Sequence, residues 1–397
     1  VTFADIATYI DAKGGRFEPS DADHPVLHDV IKFAVSHSGQ LEPQPGRFSQ
    51  FEVVVTNDPS SRATGIRFKE DGLAQIPIGA ILRSILAITV LRSDPMNYEV
   101  VHTIDPVWHG LGDEIRDHHP LVETLYSQST LFDLRAKANK ILSEECREKF
   151  EPILWYIAKF LVLHEKTHLE RHAAISAAIE QSADEYRRRE LALVKECDAD
   201  CFALRAIADD IFGQVRIIAP NDIDLLSGLV SMNFRKLGVA LFFIFTLMVP
   251  KLRSITAYDS MPYAHPQVRL ASMANFIGKQ IERSSNRNSE MAETAVNGFI
   301  DGAFSAVSGF WIERERYNKC AIERDPSFDP SRFGPLTSLT LGSLAQRRIN
   351  DRAVALMNQR IAYLDDDEEL WPDFQRHPPN SCRCSFLDMT REGFRST

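Results

Sequence analysis

Cysteine is scarce in this chain of 397 residues: there are six, at positions 146, 197, 201, 320, 382 and 384. Six scattered thiols exclude a disulfide-built scaffold and fit the reduced state of a cytosol. Positive charge is also short. Forty-five Lys and Arg stand against 55 Asp and Glu, and a formal net charge of -10 argues against a general nucleic-acid footprint. Long hydrophobic runs are missing too. The most membrane-like stretch, LGVALFFIFTLMV at 237–249, has 13 residues, short of the roughly 20 that a spanning helix needs. It reads as a buried core helix. The opening VTFADIATYIDAKGG carries acidic residues and no continuous apolar core, unlike a signal peptide. No internal repeat is visible. These absences point to a cytoplasmic globular protein without a stable membrane span.

What remains is ordinary globular material, 44% hydrophobic and 25% charged, with enough apolar residues for a sizeable core. Apolar periodicity in HPVLHDVIKFAVSHSG predicts one helix within an N-terminal segment, 1–50. Strands are expected at FEVVVT (51–56), ATGIRF (63–68) and LAQIPIG (73–79), with Asp71-Gly72 as a hairpin signal. A helix follows in IGAILRSILAITVL. Residues 51–132 thus form a small antiparallel sheet and loops. His102, His109, His118 and His119 lie in those loops at irregular spacing and read as solvated or capping residues. From 133 to 324 the chain is strongly helical. There Ser182 and Glu185 look like a capping box opening a helix that stops at Gly213. Residues 325–397 hold a linker, a polar helix near 339–363 and a tail. The arginines of QRRINDRAVALMNQR read as a solvated amphipathic face, and Cys382 and Cys384, with His377 nearby, as buried thiols of that tail. The fold class is α+β, mainly α.

Chemistry concentrates in LVLHEKTHLERH, residues 161–172. Two histidines four apart share one helix face, so His164 and His168 can grip one ion while Glu165 reaches a water on it. By composition alone, His-Glu-x-x-His arises by chance in roughly one such chain in 40, so context must add weight. It does. The pair ends a long apolar helix, where polar rings are costly without a role. A catalytic zinc takes three protein ligands and keeps a fourth position open. Glu196, in the middle of the next long helix, is the best third ligand. Asp200, one turn further on the same face, can accept the second ring proton of His164 or His168. The alternative for both acids is a solvated edge. His172 is set aside, since helical rise puts it about 12 Å from His164. Cys197 and Cys201 read as small buried hydrophobes.

His164-Glu165-Lys166-Thr167-His168 followed by Glu196-Cys197-Asp198-Ala199-Asp200 resembles the gluzincin pattern His-Glu-x-x-His … Glu-x-x-Ala-Asp. Zinc metallopeptidases similar to the heat-shock and prenyl-protein-processing endopeptidases carry it. The resemblance spans about 150–275 and implies a zincin-like core, with zinc on His164, His168 and Glu196. It also implies Glu165 as general base and Asp200 behind the ligands. Tyr263-Ala-His265-Pro266-Gln-Val-Arg269 is similar to a His-Pro element of those relatives, with the arginine closer to the pair than in them. A weaker similarity is to the soluble phage-exclusion peptidases of bacteria.

The resulting expectation is a zinc-dependent endopeptidase that takes protein or peptide substrates. Glu165 would move the proton, and His265, Tyr263 and Tyr258 are candidate donors to the oxyanion. An edge strand within 51–79 would receive an extended peptide. The rival expectation is a noncatalytic zincin-like binding protein, or a regulatory or defence protein gated by a partner.

Overall fold

A computed structural model describes residues 5–38, 50–68, 71–92, 130–144, 147–247, 263–284, 290–303, 306 and 351–360. Among them the order is α1 (Ile6–Ala12), α2 (Pro25–Val35), β1 (Gln50–Thr56), β2 (Thr64–Phe68), β3 (Asp71–Pro77) and α3 (Ile78–Arg92). Then come α4 (Leu131–Glu144), α5 (Arg147–Arg171), α6 (Ala173–Gln181), α7 (Glu185–Ile218), α8 (Ile223–Leu247) and α9 (Pro266–Ser284). Residues 290–303 and 351–360 are also helical. The described chain is mostly helix with one small sheet. The chain divides into two units. One comprises Val1–Glu170, Arg235–Leu252 and Asp301–Gly334; the other comprises Arg171–Phe234, Arg253–Ile300 and Pro335–Thr397.

The first unit holds the sheet, in the order β1-β3-β2. β3 runs parallel to β1 and antiparallel to β2, so the sheet is mixed rather than antiparallel. The cause lies in β3 itself. Leu73, Ala74, Gln75 and Ile76 are all buried, on both faces of the strand, and such a strand belongs at the centre with a partner on each side. β2, which carries the exposed Arg67 and only partly buried neighbours, goes to the edge. The expected β2–β3 hairpin forms, but Asp71 and Gly72 sit in the ladder opposite Phe68 and Arg67 rather than in the turn. Tyr9 and Ile10 of α1 pack on Val54 and Leu73.

Two polar devices fix this unit. His24 caps α2 through its ring nitrogen, which accepts from the Val26 amide at 3.3 Å, and Pro25 opens the helix. Asp23 accepts from Ser20 N (2.8 Å), Arg135 Nε (2.6 Å) and Asn139 Nδ2 (2.9 Å), joining the loop before α2 to α4. Burial alone would raise the Asp23 pKa, but these donors hold it far below the usual carboxylate range.

The second unit is built on α7. This 34-residue helix runs through Gly213 to Ile218. The glycine costs about 1 kcal/mol in a helix interior, and burial of Ile211 and Val215 on either side of it overrides that cost. The helix is capped by Asp184, whose carboxylate accepts from Tyr186 N at 2.9 Å. Ser182 instead ends α6, so the expected capping box is displaced by a nearer and charged acceptor. α7 packs on α6 and α9.

α8 is longer than its apolar run. Its 25 residues begin at Ile223. By length and composition it is able to cross a membrane, yet most of it is buried within the protein. Its first half belongs to the second unit and its remainder to the first.

Candidate metal centre

α5 presents His164 and His168 one turn apart. Their Nε2 atoms stand 3.1 Å from one another, with ring planes nearly perpendicular. His164 is buried, its ring 5.7 Å from that of Phe160, while His168 is half-buried. Glu196 of α7 offers a carboxylate oxygen, and the three ligand atoms all lie within 4.8 Å of one another. This group could hold a metal ion.

The donor set fits such an ion on chemical grounds. Two ring nitrogens, each about 2.0–2.1 Å from a tetrahedral zinc, would lie roughly 3.3 Å apart, and the observed 3.1 Å is close to that. Two imidazoles and one carboxylate would supply three of the four ligands of a tetrahedral ion.

Glu165 is buried against the sheet. A methyl group built on Gly65 of β2 would lie 3.0 Å from both the Glu165 carbonyl oxygen and its Oε2. On β3, a methyl on Gly72 would lie 3.2 Å from Leu169 Cδ1. The two glycines therefore let α5 press directly against the strands, and the Glu165 carboxylate sits beneath the edge strand. The opposite edge of the sheet is covered. Phe17 N donates to Val55 O at 2.8 Å, Asn57 N to Gly15 O at 3.0 Å and Val53 N to Ser38 Oγ at 2.9 Å. Among the described residues no strand pairs with the outer edge of β2.

In the second unit Asp200 is buried and takes a buried arginine. Arg269 donates Nε to Oδ2 at 2.7 Å and Nη2 to Oδ1 at 2.6 Å. Both Asp200 oxygens are thus committed to the arginine of the His-Pro segment, a partner that the sequence did not suggest. Burial would lower the Arg269 pKa; the Asp200 charge, with Glu196 adding to it, raises it instead. Asp200 is therefore tied to α9 through this guanidinium, which also feels the charge of Glu196.

His265 lies immediately before α9 and is buried. Burial, reinforced by the positive charge of Arg352, pushes its pKa down to about 4. It is a neutral imidazole near pH 7. It lines a cavity with Leu193 and Arg352. Tyr263 is half-buried two residues earlier. Tyr258, the histidines between 102 and 119, His377, Cys382 and Cys384 fall outside the described residues.

Sequence reasoning missed Asp198. This fully buried carboxylate receives Arg360 Nε at 2.6 Å on Oδ1. On Oδ2 it receives His172 Nε2 at 2.9 Å and Arg171 Nε at 3.2 Å. Burial opposes its ionisation, yet these partners hold its pKa far below the ordinary range. Arg360 is wholly buried, so the solvated reading fails at that position; Arg347 and Arg348 lie outside the described residues. Charge in the core is retained because a partner meets it. His172, set aside as a ligand in the sequence, is hydrogen-bonded into this cluster. Cys197 and Cys201 are buried, with Met357 Sδ 3.5 and 4.0 Å from their sulfurs.

No family model, no curated protein and no solved structure matches this chain.

Proposed function

We propose that the protein is a zinc-dependent endopeptidase acting on protein or peptide substrates in the cytoplasm. The observation that carries this reading is the convergence of one His164, one His168 and one Glu196 ligand atom within 4.8 Å. Glu165 on the same helix as the two histidines, beneath the outer strand of the sheet, adds to it. His164, His168 and Glu196 would hold the ion. When bound there, zinc lowers the pKa of a water to about 7 and polarises a carbonyl as a Lewis acid.

The remaining chemistry belongs to the chain. An extended substrate adds to the outer edge of β2, where main-chain hydrogen bonds fix its direction. Glu165 accepts a proton from the attacking water and returns it to the leaving amine. Its buried setting, with the β2 backbone packed on it, limits the rotamers available and so pre-orients the carboxylate. His265, kept neutral by burial, offers an N–H donor to the developing oxyanion without adding a net charge. Arg269 holds Asp200 and bears electrostatically on Glu196.

The test is peptide cleavage by purified protein with zinc supplied. Glu165→Gln should abolish turnover while leaving the zinc content of the wild type. A broad peptide library left uncut by zinc-loaded wild type would sink the reading.

A further inference from the structure

A second cavity feature deepens this reading and rests on it. The cavity that His265 lines has a volume of about 320 Å³, and all its walls belong to the second unit. Its walls come from the start of α7, the start of α9 and residues 351–360. Two guanidinium-bearing residues, Arg189 and Arg352, line it. One wall is apolar, made by Leu193, Val268 and Leu356. The acid among the lining residues, Glu190, is engaged by neighbours: Gln359 Nε2 donates to it at 3.3 Å and the Tyr186 side chain hydrogen-bonds to it. Two arginines against one glutamate leave the lining net positive, and the positive charge of Arg352 acts on His265, which also lines the cavity.

Within the second unit the cavity adjoins the surroundings of Glu196. Leu193, Ala264 and Leu356 also line a smaller neighbouring cavity whose wall includes Glu196. Leu193 precedes the glutamate by one helical turn. A group seated in the larger cavity would thus lie near Glu196, the ligand that the second unit contributes.

We propose that this cavity receives a carboxylate of the polypeptide substrate, its aliphatic stem on the Leu193, Val268 and Leu356 wall and its oxygens on Arg189 and Arg352. The planar guanidinium is the side chain best matched to a carboxylate, since two parallel N–H donors meet two oxygens. A neutral amide of the same shape would leave those donors poorly satisfied, and a lysine would be repelled. The source is either an acidic side chain near the scissile bond or the free carboxyl terminus of a peptide.

Quenched fluorescent peptides that differ only by Glu, Gln or Lys at each position flanking the cut separate these cases, made with free and amidated C-termini. Wild type should cleave the Glu member at one position with kcat/KM roughly tenfold to a hundredfold above Gln, and Lys below both. A preference for the free over the amidated end assigns the terminal carboxylate instead. Arg352→Gln should bring Glu and Gln within about twofold, and Arg352→Glu should favour Lys. Arg189→Gln gives an independent reading should the Arg352 variants melt early. Equal cleavage of Glu, Gln and Lys peptides by wild type, with free and amidated ends alike, overturns the proposal and leaves the peptidase reading intact. If nothing is cleaved, the peptidase reading fails, and fluorescence anisotropy with the same peptides decides the cavity. Tighter binding of the acidic peptide, lost in Arg352→Gln, supports it; indifference to charge overturns it.

Discussion

Glu165 and Gly65 face one another so closely that a single methyl on the glycine would lie 3.0 Å from the glutamate's Oε2 and from its carbonyl oxygen. The helix that carries the two histidines is seated against the outer strand because that position has no side chain. Gly65→Val should force strand and helix apart and misplace the carboxylate. The expected result, with zinc supplied in excess, is a loss in kcat/KM on the order of a hundredfold. Steady-state kinetics beside metal analysis checks this. Full activity in Gly65→Val would show that Glu165 needs no such seat.

The Asp200–Arg269 pair makes a separate prediction. Both groups are buried, so removing one leaves the other charged and uncompensated. Arg269→Ala should cost about 3–5 kcal/mol of stability. An Asp200→Asn change in the Arg269→Ala background should recover part of that loss, because no bare carboxylate remains. Urea denaturation of the single and double variants measures the difference.

Asp198 should dominate the stability of the second unit. Arg360→Leu removes the partner on Oδ1 while Arg171 and His172 stay, and a loss of about 3 kcal/mol is expected. The pH dependence follows from the sign of the shift. The folded Asp198 pKa lies below its unfolded value, so its contribution is complete above the ordinary carboxylate pKa and disappears as pH falls through the folded one. Wild type should therefore weaken below about pH 4 more steeply than Asp198→Asn. Parallel acid titrations followed by circular dichroism would show otherwise if the two curves coincide.

His265 contributes in a higher window. Buried and neutral, it protonates near pH 4 when folded and near 6.5 when unfolded. The unfolded chain takes up the proton first, so stability falls as pH drops from 6.5 to 4, by up to about 3 kcal/mol. His265→Gln should flatten that slope, as measured by melting temperature across the range. A slope unchanged in the variant would assign the effect to another group.

Much of this was legible before the structure. The spacing of His164 and His168 and the shared face of Glu196 and Asp200 follow from helical periodicity alone. Asp198 was hidden in the same pentapeptide, and its partner Arg360 lies 162 residues away, a distance no local pattern spans. One signal was available: Asp198 falls on the apolar stripe of α7 between Val194 and Cys201, where a lone acid demands a counter-charge. The parallel pairing of β1 with β3 was illegible for a different reason. A hairpin signal joins neighbours in sequence, whereas the place of β1 is set by which strand buries both faces. Arg360 reads as surface because periodicity records which residues are polar and not which of them find partners inside.

The metal itself offers the most direct measurement. Protein dialysed against zinc and then freed of loose ions should carry one zinc per chain by mass spectrometry, and His168→Ala and Glu196→Ala should each reduce this to a small fraction. A zinc-free wild type, or an occupancy that survives in both variants, would contradict the three-residue centre on which the account stands.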